Sequence, residues 1–157
     1  MDARPVRVYA DTSVFVGAFD AEFARPSQRF FELVREGRFT LVCSTTLEQE
    51  IMQGPPGVRA FYEGLAVVTE VVVVPEAAYA LQAEYLKHGV VTEKWATDAL
   101  HVATATVTGC AAIVSWNFKH IVNYRRIPLY NAVNVLAGYG QIAIYSPLEV
   151  LEDDKED

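Results

Sequence analysis

The chain has 157 residues, of which 52% are hydrophobic, and a net charge of -7 at neutral pH. This length fits one domain with a full apolar core, and no internal repeat or low-complexity tract points to a solenoid. We expect a single domain over residues 1–150 and an acidic, disordered tail over residues 151–157, which contains the run EDDKED. Bulk charge excludes general nucleic-acid binding, so any such binding must use a local basic patch or metal ions.

Neither end of the chain predicts a targeting or membrane segment. The first residues, MDARPVRVYADTSVF, lack the apolar core of a secretory signal, and the longest aliphatic run, residues 71–74, is too short to span a bilayer. The two cysteines, Cys43 and Cys110, lie in apolar segments, which is typical of free buried thiols in a reducing compartment. We therefore expect a cytoplasmic protein that does not enter a membrane.

Short apolar runs alternate with helical patterns along the chain. The runs predict strands at residues 6–10, 39–43, 111–115 and 141–145, and a further strand, third in chain order, near the end of the β-branched run 67–74. Helical spacing, capping residues and glycine stops predict helices at residues 26–37, 44–53, 57–65, 75–89, 92–108, 117–124 and 128–140. This alternation predicts a three-layer α/β/α fold around a central, mostly parallel sheet of about five strands.

Two polar residues follow predicted strands at the edge where such sheets bind ligands. Ligands bind outside the carboxyl ends of the strands, near the point where strand order reverses. Asp11 comes directly after the first strand, where it either faces that crevice or only caps the next helix. Asn117 takes the corresponding place after the fourth strand, two residues beyond Ser115.

Two predicted helices carry further acidic candidates. Glu50 lies near the apolar side of its helix, and Glu48 lies about 200° away around the same helix, so the two cannot face the same way. Asp98 is the strongest candidate, because it interrupts a helix of small apolar residues and a buried carboxylate there needs a partner or a metal. His101, one turn further on, is either a supporting group or a packed core histidine.

The chemistry of these residues points to a hard divalent cation. Three carboxylates and an amide are all oxygen donors, which suits Mg²⁺ or Mn²⁺ better than zinc. Such ions activate water and neutralise phosphate oxygens, so the pattern predicts phosphodiester hydrolysis. Four basic residues just after the fourth strand form either a solvated face or a rim that contacts phosphate: Lys119, His120, Arg125 and Arg126.

Four segments together resemble the PIN-domain family, including its VapC-like toxin ribonucleases. They are VYADTSVF, CSTTLEQEI, ATDALHVATA and IVSWNFKHI, which span residues 8–121 in the family's order. The resemblance implies catalytic residues Asp11, Glu50, Asp98 and Asn117, with Mg²⁺ or Mn²⁺ held by the three acids. It also implies an RNA substrate, a homodimer and an antitoxin protein. Residues expected to orient the site or contact substrate are Ser13, Ser115, Lys119 and His120.

Asn117 is the main departure from the family pattern, which commonly has aspartate at this position in a Thr-x-Asp motif. Asparagine removes one negative charge and leaves a carbonyl oxygen, so binding of a second metal ion is in question. The leading prediction is therefore a metal-dependent endoribonuclease, the toxin of a type II toxin–antitoxin pair. The alternative is a catalytically weak PIN-like module that binds RNA or protein.

Three other classes of α/β protein are disfavoured by the sequence. An aspartyl-phosphate phosphatase requires a second aspartate two residues after the first, where this chain has Ser13. A receiver domain requires a phosphoacceptor after the third strand and a lysine after the fifth, and neither is present. No glycine-rich loop follows any predicted strand, which argues against a nucleotide-binding Rossmann or P-loop protein.

Overall fold

The computed structural model describes residues 5–155 of the chain, with side chains through residue 151. Its centre is a sheet of five strands: β1 (Val6–Ala10), β2 (Phe39–Ser44), β3 (Thr69–Val72), β4 (Ala112–Val114) and β5 (Ala143–Tyr145). All neighbouring strands are parallel, in the order β3-β2-β1-β4-β5. The strand order therefore reverses between β1 and β4, at the centre of the sheet.

Helices cover both faces of this sheet. Within the described residues they are α1 (Thr12–Gly17), α2 (Ala24–Arg35), α3 (Thr45–Met52), α4 (Pro56–Glu63), α5 (Glu76–Lys87), α6 (Ala96–Val107), α7 (Arg126–Leu136) and α8 (Pro147–Lys155). Two short 3₁₀ turns, Ala66–Val68 and Glu93–Trp95, precede β3 and α6. The predicted α/β/α fold with a five-stranded parallel sheet is confirmed.

Successive residues of the central strand face opposite layers, as a pleated strand requires. Tyr9 packs into a core with residues of α5, α6 and α7, whereas Val8 and Ala10 pack into a second core with residues of α1, α2, α3 and α4. All three side chains are buried. Burial on both faces explains why the strand sequences read as continuous apolar runs.

The loop after β4 is anchored by Trp116. Its indole Nε1 donates a 2.8 Å hydrogen bond to Ser27 Oγ, and its ring stacks on Phe23 with centroids 4.2 Å apart. Gly17 lies directly against this ring, because a Cβ added there would come within 2.8 Å of both the indole and Ser27 Oγ. The anchored ring holds the neighbouring residues Ser115 and Asn117 at the carboxyl edge of the sheet.

Two predicted elements differ from the structure. Residues 117–124 form consecutive turns instead of a helix. Asn117 Oδ1 caps one turn, whose N–H groups at Ile121 and Val122 donate to the carbonyl of Asn117. The ladder then stops, because the N–H of Asn123 donates to the carbonyl of Ile121, only two residues back. The third strand, expected near the end of the run 67–74, is Thr69–Val72, directly after the 3₁₀ turn Ala66–Val68, and it ends two residues before the run does.

Other predicted boundaries shift by a few residues. The helix expected at residues 92–108 divides into the 3₁₀ turn Glu93–Trp95 and α6, and the one expected at residues 128–140 begins earlier and ends at Leu136. Helix α8 continues to Lys155, whereas residues 156 and 157 lie outside the described part, so disorder of the tail at residues 151–157 stays a prediction.

Two further features concern the chain as a whole. Cys43 and Cys110 are free and buried, and burial raises the pKa of both thiols. No helix in the described residues has the length and apolar character needed to cross a bilayer.

Candidate active site

Asp11 lies where β1 and β4 end side by side. Its backbone N–H donates to the carbonyl of Val114 at 3.2 Å, which joins the two strand ends. Its Oδ1 accepts hydrogen bonds from the backbone N–H of Ser13 at 3.1 Å and from Ser13 Oγ at 2.5 Å. Its Oδ2 accepts from Ser115 Oγ at 2.8 Å. Asp11 thus caps α1 and also places its carboxylate at the predicted crevice, with only 4% of the residue exposed.

Ser13 and Ser115 hold this carboxylate by connecting it to the loop after β4. Ser13 Oγ accepts the backbone N–H of Trp116 at 2.8 Å, and Ser115 Oγ accepts that of Asn117 at 2.9 Å. Each hydroxyl therefore accepts from the loop and donates to Asp11. Both serines contact Asp11 directly.

The two glutamates on α3 point in opposite directions. Glu50 Oε1 accepts a hydrogen bond from Thr12 Oγ1 at 3.1 Å and lies 2.6 Å from His101 Nε2. Glu48 instead accepts a hydrogen bond from the hydroxyl of Tyr62, on α4, at 2.8 Å. The structure thus directs Glu50 toward the Asp11 loop and Glu48 toward the neighbouring helix.

A buried chain of hydrogen bonds supports Glu50 from behind. The hydroxyl of Tyr9 lies 2.8 Å from Ser44 Oγ and 2.6 Å from His101 Nδ1. Ser44 Oγ accepts the backbone N–H of Leu47 at 3.2 Å, so its own hydrogen is free to go to Tyr9. Donation from Ser44 to Tyr9 to His101 Nδ1 gives every hydroxyl hydrogen an acceptor. This direction assigns a proton to His101 Nε2, which donates it to Glu50.

Asp98 lies in the first turn of α6, half-buried, and the neighbouring Asn117 side chain lowers its pKa. Asn117 Oδ1 accepts the backbone N–H groups of Lys119 at 3.2 Å and His120 at 2.9 Å. With both lone pairs of that oxygen in use, the amide N–H₂ is the group that can favour ionised Asp98. In this arrangement Asn117 supports Asp98 and offers no free oxygen.

The three carboxylates act on one another electrostatically. Burial raises the pKa of Asp11, and the charge of Asp98 raises it further against the opposing effects of His101, Ser13 and Ser115. Burial likewise raises the pKa of Asp98, and the charge of Glu50 adds to this effect. For Glu50, burial acts upward, but the hydrogen bonds from His101 and Thr12 help lower its pKa overall.

The donor set fits a hard divalent cation in type and charge. Among the described residues, no lysine or arginine forms an ion pair with Asp11 or Asp98, so neither carboxylate has a permanently charged partner. Carboxylate oxygens at such a site are the ligands that Mg²⁺ and Mn²⁺ prefer. Within the same residues, however, no group of three or more His, Cys, Asp or Glu side chains is closed into a metal-binding cluster.

The predicted basic residues lie at the rim of this site. Lys119 is exposed, and the imidazole of His120 stacks on the indole of Trp95 with centroids 4.1 Å apart. Burial lowers the pKa of His120, the charge of Asp98 opposes this, and Arg126 and Lys119 reinforce it. The charges of Asp98, Lys119 and Arg126 therefore all act on His120.

Comparison of the whole fold with solved structures finds chains with the same architecture. A chain in the crystal structure of VapBC2 from Rickettsia felis, bound to a DNA fragment from their promoter, has a TM-score of 0.59 and 12% identity. The match covers 90% of this chain and 98% of that one. The chain has a PIN-like fold. Neither a protein-family profile nor a curated protein sequence matches it.

Two FitAB structures share the PIN-like fold as well. The structure of FitAB bound to an IR36 DNA fragment gives a TM-score of 0.54 and 12% identity, over 89% of this chain and 94% of that one. The crystal structure of FitAcB from Neisseria gonorrhoeae gives 0.54 and 15%, over 90% and 98%. At these identities the likeness establishes the fold and not the activity.

Sequence reasoning missed four residues that build this site of the PIN-like fold: Tyr9, Thr12, Ser44 and Trp95. Thr12 and Ser44 were visible only as helix-capping types, and Tyr9 only as part of a buried strand. A usable signal was the polar hydroxyl of Tyr9 within an apolar strand, because a buried hydroxyl needs a hydrogen-bond partner. Trp95 carried no comparable signal.

Proposed function

We propose that this protein is a metal-dependent endoribonuclease that hydrolyses RNA phosphodiester bonds. The observation that supports it most is geometric: the buried carboxylate of Asp11 lies at the carboxyl edge of the sheet, and Glu50 is held beside the same loop by Thr12. Asp98 acts electrostatically on Asp11 and is acted on by Glu50. Burying like charges together is costly unless a cation is bound, so the arrangement favours a cation-binding function over a structural one.

Each residue has a distinct task in this proposal. Asp11, Glu50 and Asp98 would hold Mg²⁺ or Mn²⁺, which supplies an activated water and neutralises phosphate charge. Ser13 and Ser115 keep both oxygens of Asp11 oriented, and their own hydrogen bonds to the loop limit their rotation. A third group of residues would orient Asp98 or contact the RNA backbone: Asn117, Lys119 and His120.

We further propose that the protein is the toxin of a type II toxin–antitoxin pair, acts in the cytoplasm as a homodimer, and is blocked by an antitoxin protein. Support comes from the fold, which is shared with chains of VapBC2 and FitAB, two assemblies seen with DNA. Expression in a bacterial host tests the toxin role. Growth should stop with the wild type and continue with Asp98→Asn.

Cleavage of a labelled single-stranded RNA is the direct test of the nuclease. We expect cleavage with Mg²⁺ or Mn²⁺, none with excess chelator, and a loss of roughly 100-fold or more for Asp98→Asn or Glu50→Gln. Glu48→Gln is the matched control, because Glu48 lies on the same helix and bonds to Tyr62 outside the site. Full activity of Asp98→Asn, or equal losses for both glutamate variants, would contradict the assignment.

A second candidate is a PIN-like module that binds RNA or protein with little catalysis. It is favoured by the absence of a closed group of three metal ligands in the described residues and by Asn117 in place of an acid. Calorimetric titration with Mg²⁺ and Mn²⁺ separates the two candidates. RNA binding without metal binding or cleavage would select the module.

A further inference from the structure

Trp95 and His120 form a pair of stacked rings beside the acidic site. Their centroids are 4.1 Å apart and their planes are 22° from parallel. Trp95 ends the 3₁₀ turn before α6, three residues before Asp98, and is 37% exposed. His120 covers one face of this large ring, and its remaining exposed surface can contact a ligand.

The pair is connected to the candidate active site by hydrogen bonds. The backbone N–H of His120 donates to Asn117 Oδ1 at 2.9 Å, and the Asn117 side chain lies near Asp98, whose pKa it lowers. The backbone carbonyl of His120 accepts from the hydroxyl of the buried Tyr130 at 2.7 Å, which holds this part of the loop against α7. The stacked pair therefore has a defined position next to Asp98.

Positive charge gathers around the same pair in an otherwise acidic chain. Lys94 Nζ lies 5.1 Å from the centroid of the Trp95 ring, and Lys119 directly precedes His120. Exposed aromatic surface beside these cations suits a nucleotide.

We propose that the Trp95–His120 pair is a stacking platform for one unpaired base of an RNA strand, adjacent to the phosphodiester at the carboxylates. This proposal rests on the proposed ribonuclease function and adds a substrate requirement, namely a single-stranded segment. Stacking on aromatic rings tolerates any base, since every base has a π-face. The lysines would contact the neighbouring phosphates, where they position the strand without reading sequence.

Binding of RNA in excess chelator tests the platform separately from cleavage. The probe is an end-labelled single-stranded RNA of about ten nucleotides, followed by fluorescence anisotropy. A matched series carries one abasic residue at successive positions, and a duplex of the same sequence is the third probe. The same titrations are repeated in the Asp98→Asn background, which removes one negative charge from the site.

Three variants distinguish stacking from general surface effects. We expect Trp95→Ala to weaken binding about tenfold and Trp95→Phe to retain most of it, because phenylalanine keeps an aromatic face. Val67→Ala is the control, because Val67 is 97% exposed and lies before the amino end of β3. The candidate site lies at the carboxyl ends of the strands. At one position in the RNA, an abasic residue should weaken binding to the wild-type protein by as much as Trp95→Ala weakens binding of the intact RNA. The same abasic RNA should bind Trp95→Ala almost as well as the intact RNA does. Duplex RNA should bind more weakly than the single strand.

Equal binding of intact and abasic RNA, or wild-type binding by Trp95→Ala, would overturn the platform and assign the exposed ring to a protein contact. So would the absence of measurable RNA binding in both backgrounds. The two proposals fail in different ways. If Trp95→Ala binds normally while Asp98→Asn loses cleavage, only the platform is wrong. If Asp98→Asn cleaves normally, the metal-dependent nuclease is wrong whatever Trp95 does.

Discussion

His101 Nε2 lies 2.6 Å from Glu50 Oε1, so a histidine in the interior of α6 holds a carboxylate on α3 that belongs to the candidate active site. His101 is 2% exposed, and its Nδ1 lies 2.6 Å from the hydroxyl of Tyr9. Both ring nitrogens are thus used, which fixes the plane of the imidazole and with it the position of Glu50.

Replacing His101 should therefore affect metal binding as well as stability. In His101→Leu, Tyr9 and Glu50 lose their partner, and we expect a loss of about 1–3 kcal/mol in the free energy of unfolding. Affinity for Mn²⁺, measured by calorimetry, should fall by about tenfold or more. His101→Gln should lose less affinity, because its amide can still donate to Glu50. Surface His88, 3.5 Å from Glu84, is the control, and a similar loss in His88→Gln would refute the role of His101.

Asp98→Asn should make the metal-free protein more stable at neutral pH. Burial raises the pKa of Asp98 in the folded state, so the folded protein binds this proton more tightly than the unfolded chain. Ionised Asp98 therefore lowers stability as pH rises above the ordinary value of 3.8, and asparagine removes that penalty. In chelator at pH 7 we expect a Tm increase of roughly 2 °C or more by calorimetry.

The gain in Tm should shrink as the pH is lowered through 3.8 and should vanish below it, where Asp98 is protonated in both the folded and the unfolded state. Exposed Glu93, in the 3₁₀ turn before the same helix, is the control, and Glu93→Gln should leave Tm nearly unchanged. A lower Tm for Asp98→Asn at pH 7 would mean that the favourable effect of Asn117 outweighs the cost of the buried charge.

Asn117→Asp should have opposite effects with and without metal. An aspartate keeps the acceptor for the N–H groups of Lys119 and His120 but loses the amide that favours ionised Asp98, and it adds a like charge there. In chelator we expect Tm to fall, whereas Mn²⁺ should then raise Tm by more than it does for the wild type. Thermal denaturation with and without Mn²⁺ measures both effects. An unchanged Tm in chelator would mean that position 117 lies outside the electrostatic reach of Asp98.

Gly17→Ala should destabilise the protein through the loop after β4. A Cβ at this position would meet Trp116 and Ser27 Oγ at 2.8 Å, so the anchored indole must move, at a cost of about 1–3 kcal/mol. Gly57→Ala is the matched control, because its Cβ would come no nearer than 3.7 Å to a neighbour, within α4. That change should be neutral or stabilising by about 0.5 kcal/mol. Urea denaturation measures both, and equal effects would show that the contact at Gly17 is not decisive.

The sequence predicted most of the architecture because strand and helix signals are local. Apolar β-branched runs flanked by helical patterns placed β1, β2, β4 and β5, and their alternation predicted a parallel sheet, which the structure confirms. The helix predicted over residues 117–124 was wrong because the hydrogen-bond ladder stops after one turn, where the N–H of Asn123 donates to the carbonyl of Ile121. Apolar spacing alone does not show where a ladder stops.

The sequence by itself determined which residues stand at the carboxyl ends of the strands and which face of each helix is apolar. These follow from the periods of strand and helix, and they placed Asp11 after β1 and separated Glu50 from Glu48. Only the tertiary structure decided the partners: His101 for Glu50, Asn117 for Asp98, and His120 for Trp95. Such pairs join elements distant in the chain, and their distances depend on how the helices pack across the sheet, which no local pattern encodes.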